Sequence, residues 1–599
     1  MTDATNTPVT ATPPTPGRPS IREAVEAQLK KRHAAERRFR IYGIAAVSFA
    51  AFMLLVLITS IGYQAISAFQ KHYVSFETML DPALIAPDGT DDPERIAENV
   101  GGFYETVRND LAAQFPHSVQ SDADRLAVGT LVTRLAVLPA ARRIADDPER
   151  IGSEMRFTAA LNDDIDLYLK GRLTEEKTYR LDRAEAVFQR GAAVIEADFA
   201  GVLADVKAAL SAIADEQAAT LADVEVRAAG LRARIESEGE GAELVSSLEA
   251  AETEISELEA SISALRARAE AAGAPETLDP SLPSLIVRTG EHYARIEALA
   301  PGRAEGRVLV GTPDLRGTFD GGDASALLVM EPEASRNVSD QQIAWTRALQ
   351  EDGRITKRFN GSLLTRADST YPEIAGALAA IVGSLFTMLV TALLALPIGV
   401  AAAIYLEEYA PKNRLTSFIE ININNLAAVP SIVFGLLGAA VFLSFFGFPR
   451  GAPMVGGLVL ALLTLPTVII ASRAALQAVP PSIRDAALAL GASRTQSVFH
   501  HVVPLAAPGM MTGAIIGLAR AVGETAPLLL IGMVAFVAEV PTGPTDEATA
   551  LPVLIYKWST GAERAWEPLT AAAIVVLLVF MIAMNALAVV LRRRFERRW

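Results

Sequence analysis

Six long apolar runs limit what this chain can fold into more than any other feature. They lie at 41–69, 376–405, 418–446, 453–474, 509–537 and 569–591. About twenty apolar residues in a helix, at ~1.5 Å per residue, match the ~30 Å hydrocarbon layer of a bilayer. Backbone groups inside hydrocarbon must pair within their own segment, so such runs cross as helices. Hydrophobic residues make up 51% of the chain and charged residues 21%, which fits a membrane protein better than a soluble one. The expected fold is all-α: six transmembrane helices, with a large, mainly helical periplasmic insertion after the first.

A signal peptide is the competing reading of 41–69. The run is too long for a typical signal core and no small-residue cleavage site follows, so an uncleaved helix is expected. Basic clusters at Lys30, Lys31, Arg32, Arg37, Arg38 and Arg40, and at Arg592, Arg593, Arg594, Arg597 and Arg598, put both termini in the cytoplasm by the positive-inside rule. Alternation then puts 406–414 and 475–508 inside, and 71–375 and 538–568 outside. Tyr556, Trp558 and Trp566 would lie beside the outer interface. Four segments follow: a disordered, basic tail at 1–40, a first span at 41–69, a periplasmic domain at 71–375, and a five-helix core at 376–599.

Within 71–375, Leu244, Leu248, Ala251, Ile255, Leu258, Ile262 and Leu265 recur at spacings of three and four, like a helical seam. Phe188, Ile195, Phe199, Val202, Val206 and Ile213 suggest a second stripe, and Gly239 and Gly241 a turn between the two. The expectation is a coiled-coil-like hairpin over about 180–270. Short apolar runs among Gly and Pro at 283–330 suggest a small strand-containing piece. Asp368 and Glu373 read as a solvated loop or a contact for a soluble binding protein.

The net charge of −15 has its acidic excess in the middle of the chain, which argues against nucleic acid as a partner. No cysteine is present, so disulfides and thiolate sites are excluded. Neither a G-x-x-x-x-G-K-[ST] phosphate loop nor an H-E-x-x-H metal motif occurs. Catalytic residues, a metal site and a cofactor are therefore not expected in this chain.

Two stretches carry the functional reading. The loop 482–504 reads as a short helix, a bend at Gly491, and a second helix of about 493–503 ending near Pro504. Such a knob suits a rigid handle for a soluble partner. In the fifth run, Arg520 and Glu524 stand four apart, on one face of a helix, with Thr525 beside them. An intramembrane charge costs at least ~2.5 kcal/mol, so it should face the bundle interior or a polar path. The arginine fork suits an oxyanion.

The pattern Asp485-Ala486-Ala487-x3-Gly491-x9-His501-x-Val503-Pro504 resembles the EAA loop of ABC importer permeases. Aspartate stands for the usual glutamate, Val503 for leucine, and His501 where an apolar residue is usual. ARAVGETAPLLL (519–530), FNGSLLTRADSTYPEIAGALAAIVGSL (359–385), PIGVAAAIYLEEYAPKNRL (397–415) and IEININNLAAVPSIVFGLLG (419–438) resemble the PstA permeases of phosphate ABC transporters, in a long form with an extended N-terminal region. The resemblance implies a multi-pass inner-membrane subunit. Its partners would be a PstC-like permease in a heterodimer, two PstB-like ATPase subunits that use the ATP, and a periplasmic phosphate-binding protein. Asp485, Ala486, Ala487, Gly491 and Pro504 would dock the ATPase. Arg520, Glu524 and Thr525 would line the path of inorganic phosphate. A sulfate or molybdate permease, and a membrane-anchored sensor or scaffold, are the alternatives.

Overall fold

The computed structural model describes residues 21–239, 241–533 and 536–595. The chain divides into one unit ending at Gln64 and another starting at Ala65. The first is made by helix α1 (Ile21–Ala68), whose last turn belongs to the second unit. From Ala35 to Ser60, α1 leaves its side chains exposed, apolar ones included, as a helix made for lipid does.

The second unit corrects the all-α expectation. Twelve strands occur among the described residues, in two antiparallel sheets. In the smaller sheet, Gln70–Met79 pairs on one side with Ile355–Phe359 and on the other with Glu154–Ala160. Short helices around Phe103, Val107, Ile144 and Trp345 cover it and bury a common core. The nine-stranded sheet combines three hairpins with pairings between strands distant in sequence. Gln189 faces Ala192 across Arg190-Gly191, and Ala300 faces Arg303 across Pro301-Gly302. Arg190 and Gly191 have φ of 52° and 81°, the paired positive angles of a type I′ turn that matches strand twist. Alternation does the rest: Ala184, Ala186 and Phe188 point inward, and Arg183, Glu185 and Gln189 outward.

The hairpin of long helices is therefore shorter than the stripe suggested. Phe188 and Ile195 belong to strands, and helix α2 runs over Ala200–Glu238. Helix α3 covers Ala242–Glu270. Val202, Leu203 and Val206 of α2 pack on the sheet, and farther out Leu210 and Ala214 meet Ile262 and Leu265 of α3. Gly239, at φ 94°, ends α2 in a conformation that a side chain resists.

The membrane core holds α4 (Leu378–Ile404), α5 (Arg414–Ala427), α6 (Ser431–Gly438), α7 (Pro453–Gln477), α8 (Pro481–Ala489), α9 (Arg494–Ser497), α10 (Val503–Val522), α11 (Ala526–Leu530), α12 (Leu551–Ser559) and α13 (Trp566–Phe595). Five described helices are long and apolar enough to cross a membrane. The run at 418–446 is not one straight helix. α5 and the segment Ser431–Phe445 meet at 102°, with Pro430 at the break.

Packing argues that this bent pair crosses. α4 and α7 run parallel: Gly457 lies against Val390, Gly399 against Val468, and Glu407 bonds Gln477. Two consecutive parallel helices need a return crossing between them, and α5 and α6 supply it. α10 then runs antiparallel to α7, and α13 antiparallel to α10, with Arg592 Nη1 3.2 Å from Thr512 Oγ1. Residues 404–414, 477–503 and 592 thus share one end of the bundle, the loop-side end. Residues 378, 453 and 566 share the other, the domain-side end.

Buried polar groups fasten the domain to that second end. Asp368 pairs with Lys557 and accepts from Trp558 Nε1 at 3.1 Å, and Lys71 Nζ donates to the Glu373 carbonyl at 2.5 Å. Asp368 and Glu373 are both buried, which corrects their reading as a solvated loop. The rings of Trp558 and Trp566 lie 5.7 Å apart, tilted by 32°, and are buried too, leaving Tyr556 exposed.

Candidate translocation site and coupling loop

The loop forms because prolines stop α7 and start α8. Pro480 is extended and Pro481 occupies the first turn of α8, where its missing N–H costs nothing. Gly491 follows at φ +87°, a left-handed bend. Ser493 then caps α9 with a reciprocal Gln496 bond. Asp485 and Ala486 are exposed, as are Leu488 and Leu490, whereas Ala487 is buried against the core. The exposed side joins one acid to two leucines, chemistry that suits a protein partner more than water.

Pro504 does not end the second helix. α9 passes through a π-turn at Val498–Val502 into α10, and Pro504 sits in the first turn of α10. Its missing N–H leaves one bond to the preceding turn unmade, directly after the π-turn. The result is a nearly continuous helical stretch, Arg494–Val522, of 29 residues. His500 and His501 lie exposed on the π-turn, so His501 takes no core position.

Arg520 stands in the last turn of α10, where a cation complements the helix dipole. The helix ends at Val522, with Gly523 as its cap, and α11 starts at Ala526. Glu524 is therefore not on the same helix as Arg520; it lies in the break. The pair still forms, with Arg520 Nε 3.5 Å from Glu524 Oε1. The arginine side chain is 59% exposed and the glutamate 19%. Thr525 caps α11 without a side-chain bond. Non-helical backbone at membrane depth is tolerated where protein buries it or where it lines a polar cavity. Broken spans whose ends carry charge are how transporters build ion sites.

A stripe of glycines sets the depth of this site. A Cβ added at Gly509, Gly513 or Gly517 would lie 2.7, 2.1 or 2.9 Å from Ala475, Ala471 or Thr464 of α7. Small residues four apart let the two backbones approach closely. Gly517 thus meets the middle of α7, and Arg520 lies less than one turn toward the domain-side end.

Reasoning from sequence missed a second set of charges, at the loop-side end. Glu408 closes a π-turn after α4 and is 7% exposed. Arg484 of α8 grips its carboxylate through Nε at 3.1 Å and Nη2 at 2.5 Å. The same guanidinium donates to the Val479 carbonyl at 2.8 Å and the Leu476 carbonyl at 3.0 Å. Arg494 donates to the Glu408 backbone oxygen and lies 5.6 Å over the Tyr409 ring. Arg473 of α7 bridges Glu407 at 3.4 Å and Glu420 at 2.8 Å. These partners are 53 to 86 residues apart, and only the adjacent acids in LEEYAP hinted at them.

Residues 395–598 match the family of binding-protein-dependent transport system inner membrane components, and residues 26–178 match a domain of unknown function, DUF3333. The chain is 34% identical over 254 residues to the phosphate transport system permease protein PstA 1 of Mycobacterium tuberculosis (strain CDC 1551 / Oshkosh), covering 42% of this chain and 77% of that one. It is 32% identical over 224 residues to the PstA protein of Haemophilus influenzae, covering 37% and 78%. With the probable ABC transporter permease protein YqgI of Bacillus subtilis it shares 37% over 147 residues, 24% of this chain and about half, 49%, of that one. The family match at 395–598 holds the loop, the broken span and Arg520 together, and the chain belongs to the PstA family of binding-protein-dependent transport permeases.

Proposed function

We propose that this chain is one of two permease subunits of an ABC importer for inorganic phosphate. It sits in the inner membrane with both termini in the cytoplasm and residues 71–375 in the periplasm. A PstC-like permease completes the pathway, two PstB-like ATPases dock below, and a periplasmic binding protein delivers phosphate. The exposed side of α8 and its cap, with Asp485, Leu488 and Leu490, receives the ATPase. Its movement is carried along Arg494–Val522, a helix of roughly 43 Å at ~1.5 Å per residue, to Arg520. Tilting that helix presents Arg520 alternately to the two sides.

The observation that carries this reading is the Arg520–Glu524 pair at the break between α10 and α11. Arg520 has donors free to turn toward an anion. Glu524 partly neutralises it, which keeps binding weak enough for release. The carboxylate also favours phosphate over sulfate. At neutral pH phosphate carries an O–H that can donate to Glu524, and sulfate has none, so sulfate meets an unpaired negative charge there. The test is ATP-driven uptake of radiolabelled phosphate by the assembled complex in liposomes, with sulfate and molybdate as competitors. Glu524→Gln should narrow the preference for phosphate. Uptake of sulfate equal to that of phosphate in the unmodified complex would sink the substrate assignment.

A further inference from the structure

The charge cluster around Glu408 lies outside every residue that the loop pattern marks, and it has a geometry of its own. One buried turn gathers both arms of the loop and the ends of two spans. Glu408 stands at the end of α4, and Arg484 comes from the first arm. Arg484 also holds two carbonyls where α7 ends: that of Val479, and that of Leu476, which accepts from the Val479 N–H as well. Arg494 comes from the second arm, bonding the Glu408 backbone and covering Tyr409. Apolar packing closes over the joint through Leu406, Leu476, Val479, Val498 and Val502. Charge-assisted bonds in such a place are short and strong, and taking away one partner leaves a buried charge unpaired. The joint faces the bundle, while Asp485 and Leu490 face away from it. Two of its segments, 405–409 and 498–502, are π-turns, a form often found at functional sites.

We propose that Glu408, Arg484 and Arg494 are positioning residues that form a transmission joint. Through them, movement of the docking loop is imposed on the loop-side ends of α4 and α7, in addition to α10, with which the loop is continuous. Without the joint, α10 alone follows the loop, and the path does not open in step with ATP turnover. The proposal rests on the reading of the loop as the ATPase dock.

The test uses the full transporter in liposomes with inorganic phosphate as the probe. ATP hydrolysed and phosphate taken up are measured on the same vesicles. Glu408→Gln keeps the shape of the joint and removes its charge. The ATPase should stay bound and turn over, while phosphate moved per ATP falls at least about tenfold, the equivalent of ~1.4 kcal/mol of lost coupling. Exchanging the partners, Glu408→Arg with Arg484→Glu, restores a pair of opposite charges and should recover much of that ratio. Arg494→Ala, which leaves the buried pair intact, should lower it less. An unchanged ratio in an intact Glu408→Gln complex overturns the proposal. So does loss of the ATPase in the single variant and the exchanged pair alike, because the joint would then be a staple of the fold. Cross-linking from Leu490→Cys to the ATPase separates the two readings. Capture with an unchanged ratio removes the joint alone, and failure of capture removes the docking surface itself.

Discussion

Replacing Gly513 by alanine tests how α7 and α10 are held together. The new Cβ would stand 2.1 Å from the Ala471 Cβ. Carbon atoms in good contact lie ~3.5–4.0 Å apart, so the helices must part there by about 1.4 Å. Forcing an extra carbon into a packed interior costs ~1–3 kcal/mol, roughly a 5- to 150-fold drop in the folded-to-unfolded ratio. The site feels it too, because Arg520 lies seven residues farther along the same helix, ~10 Å away. The assay is the unfolding midpoint of the purified complex in detergent. Ala471→Gly removes the clashing atom and leaves Ala471 Cα, 3.5 Å away, as the next neighbour. The two changes alter helix propensity by ~1 kcal/mol each in opposite directions, so those effects offset. The double variant should therefore return to near the original stability and uptake. A Gly513→Ala protein of normal stability, or a double variant no better than the single one, would refute the close-packed stripe.

Gly491→Val should weaken retention of the ATPase on co-purification. The strain comes from φ +87° and not from crowding, since no atom lies within 4 Å, and it amounts to ~1–2 kcal/mol; a complex of full activity would show that the bend is dispensable. A reporter fused at Gly241 should read as periplasmic, and a cytoplasmic signal there would invert the topology. The junction beneath the domain should respond to pH. Burial and the neighbouring Asp163 push the Glu373 carboxyl up to about 7, and burial, opposed by Asp166, Glu373 and Asp163, brings the Lys71 amine down to about 8. Asp163, Asp166, Lys170 and His72 also face this junction. A raised carboxyl stabilises the fold fully below its unfolded value and loses that contribution as pH rises through about 7. The lowered lysine gives its contribution above its unfolded value and loses it as pH falls through about 8. Thermal stability of the domain should thus decline from pH 5 to a minimum between 7 and 8, and Glu373→Gln should flatten the acid limb. A profile unchanged by that variant would rule out Glu373 as the titrating group.

The spans were legible because hydropathy depends on composition alone, and a run such as 376–405 has no competing use. The bend at Pro430 was harder to see, since a proline in a span kinks some helices and ends others, and only the parallel packing of α4 and α7 reveals the return crossing. The strands of the large sheet within 283–330 were expected and are there, but the rest of the sheet escaped, for a different reason. Its strands are mostly five to nine residues long, and in Arg183–Gln189 the inward positions are mostly alanine, which signals a strand weakly. Arg190-Gly191, read as a two-residue turn, was the signal available in the sequence. Phe188 and Ile195 fell into a helical stripe because a spacing of seven fits a helix and also bridges two strands across a turn. Arg520, Gly491 and Asp485 were singled out through local pattern. Arg484, Glu408 and Arg494 were not, because their meaning lies in partners dozens of residues away. Pro504 was misplaced as a stop, although at the first turn of a helix the same residue is a start.

The proposed role of Arg520 is to handle the anion at the break in the fifth span. It is tested most directly by ATP-driven uptake of radiolabelled phosphate by the complete transporter carrying Arg520→Ala, with assembly checked on the same sample. The expected result is an assembled complex that takes up essentially no phosphate, with Arg520→Lys restoring only part of the activity because a point charge lacks the fork. Near-normal uptake by Arg520→Ala would contradict it.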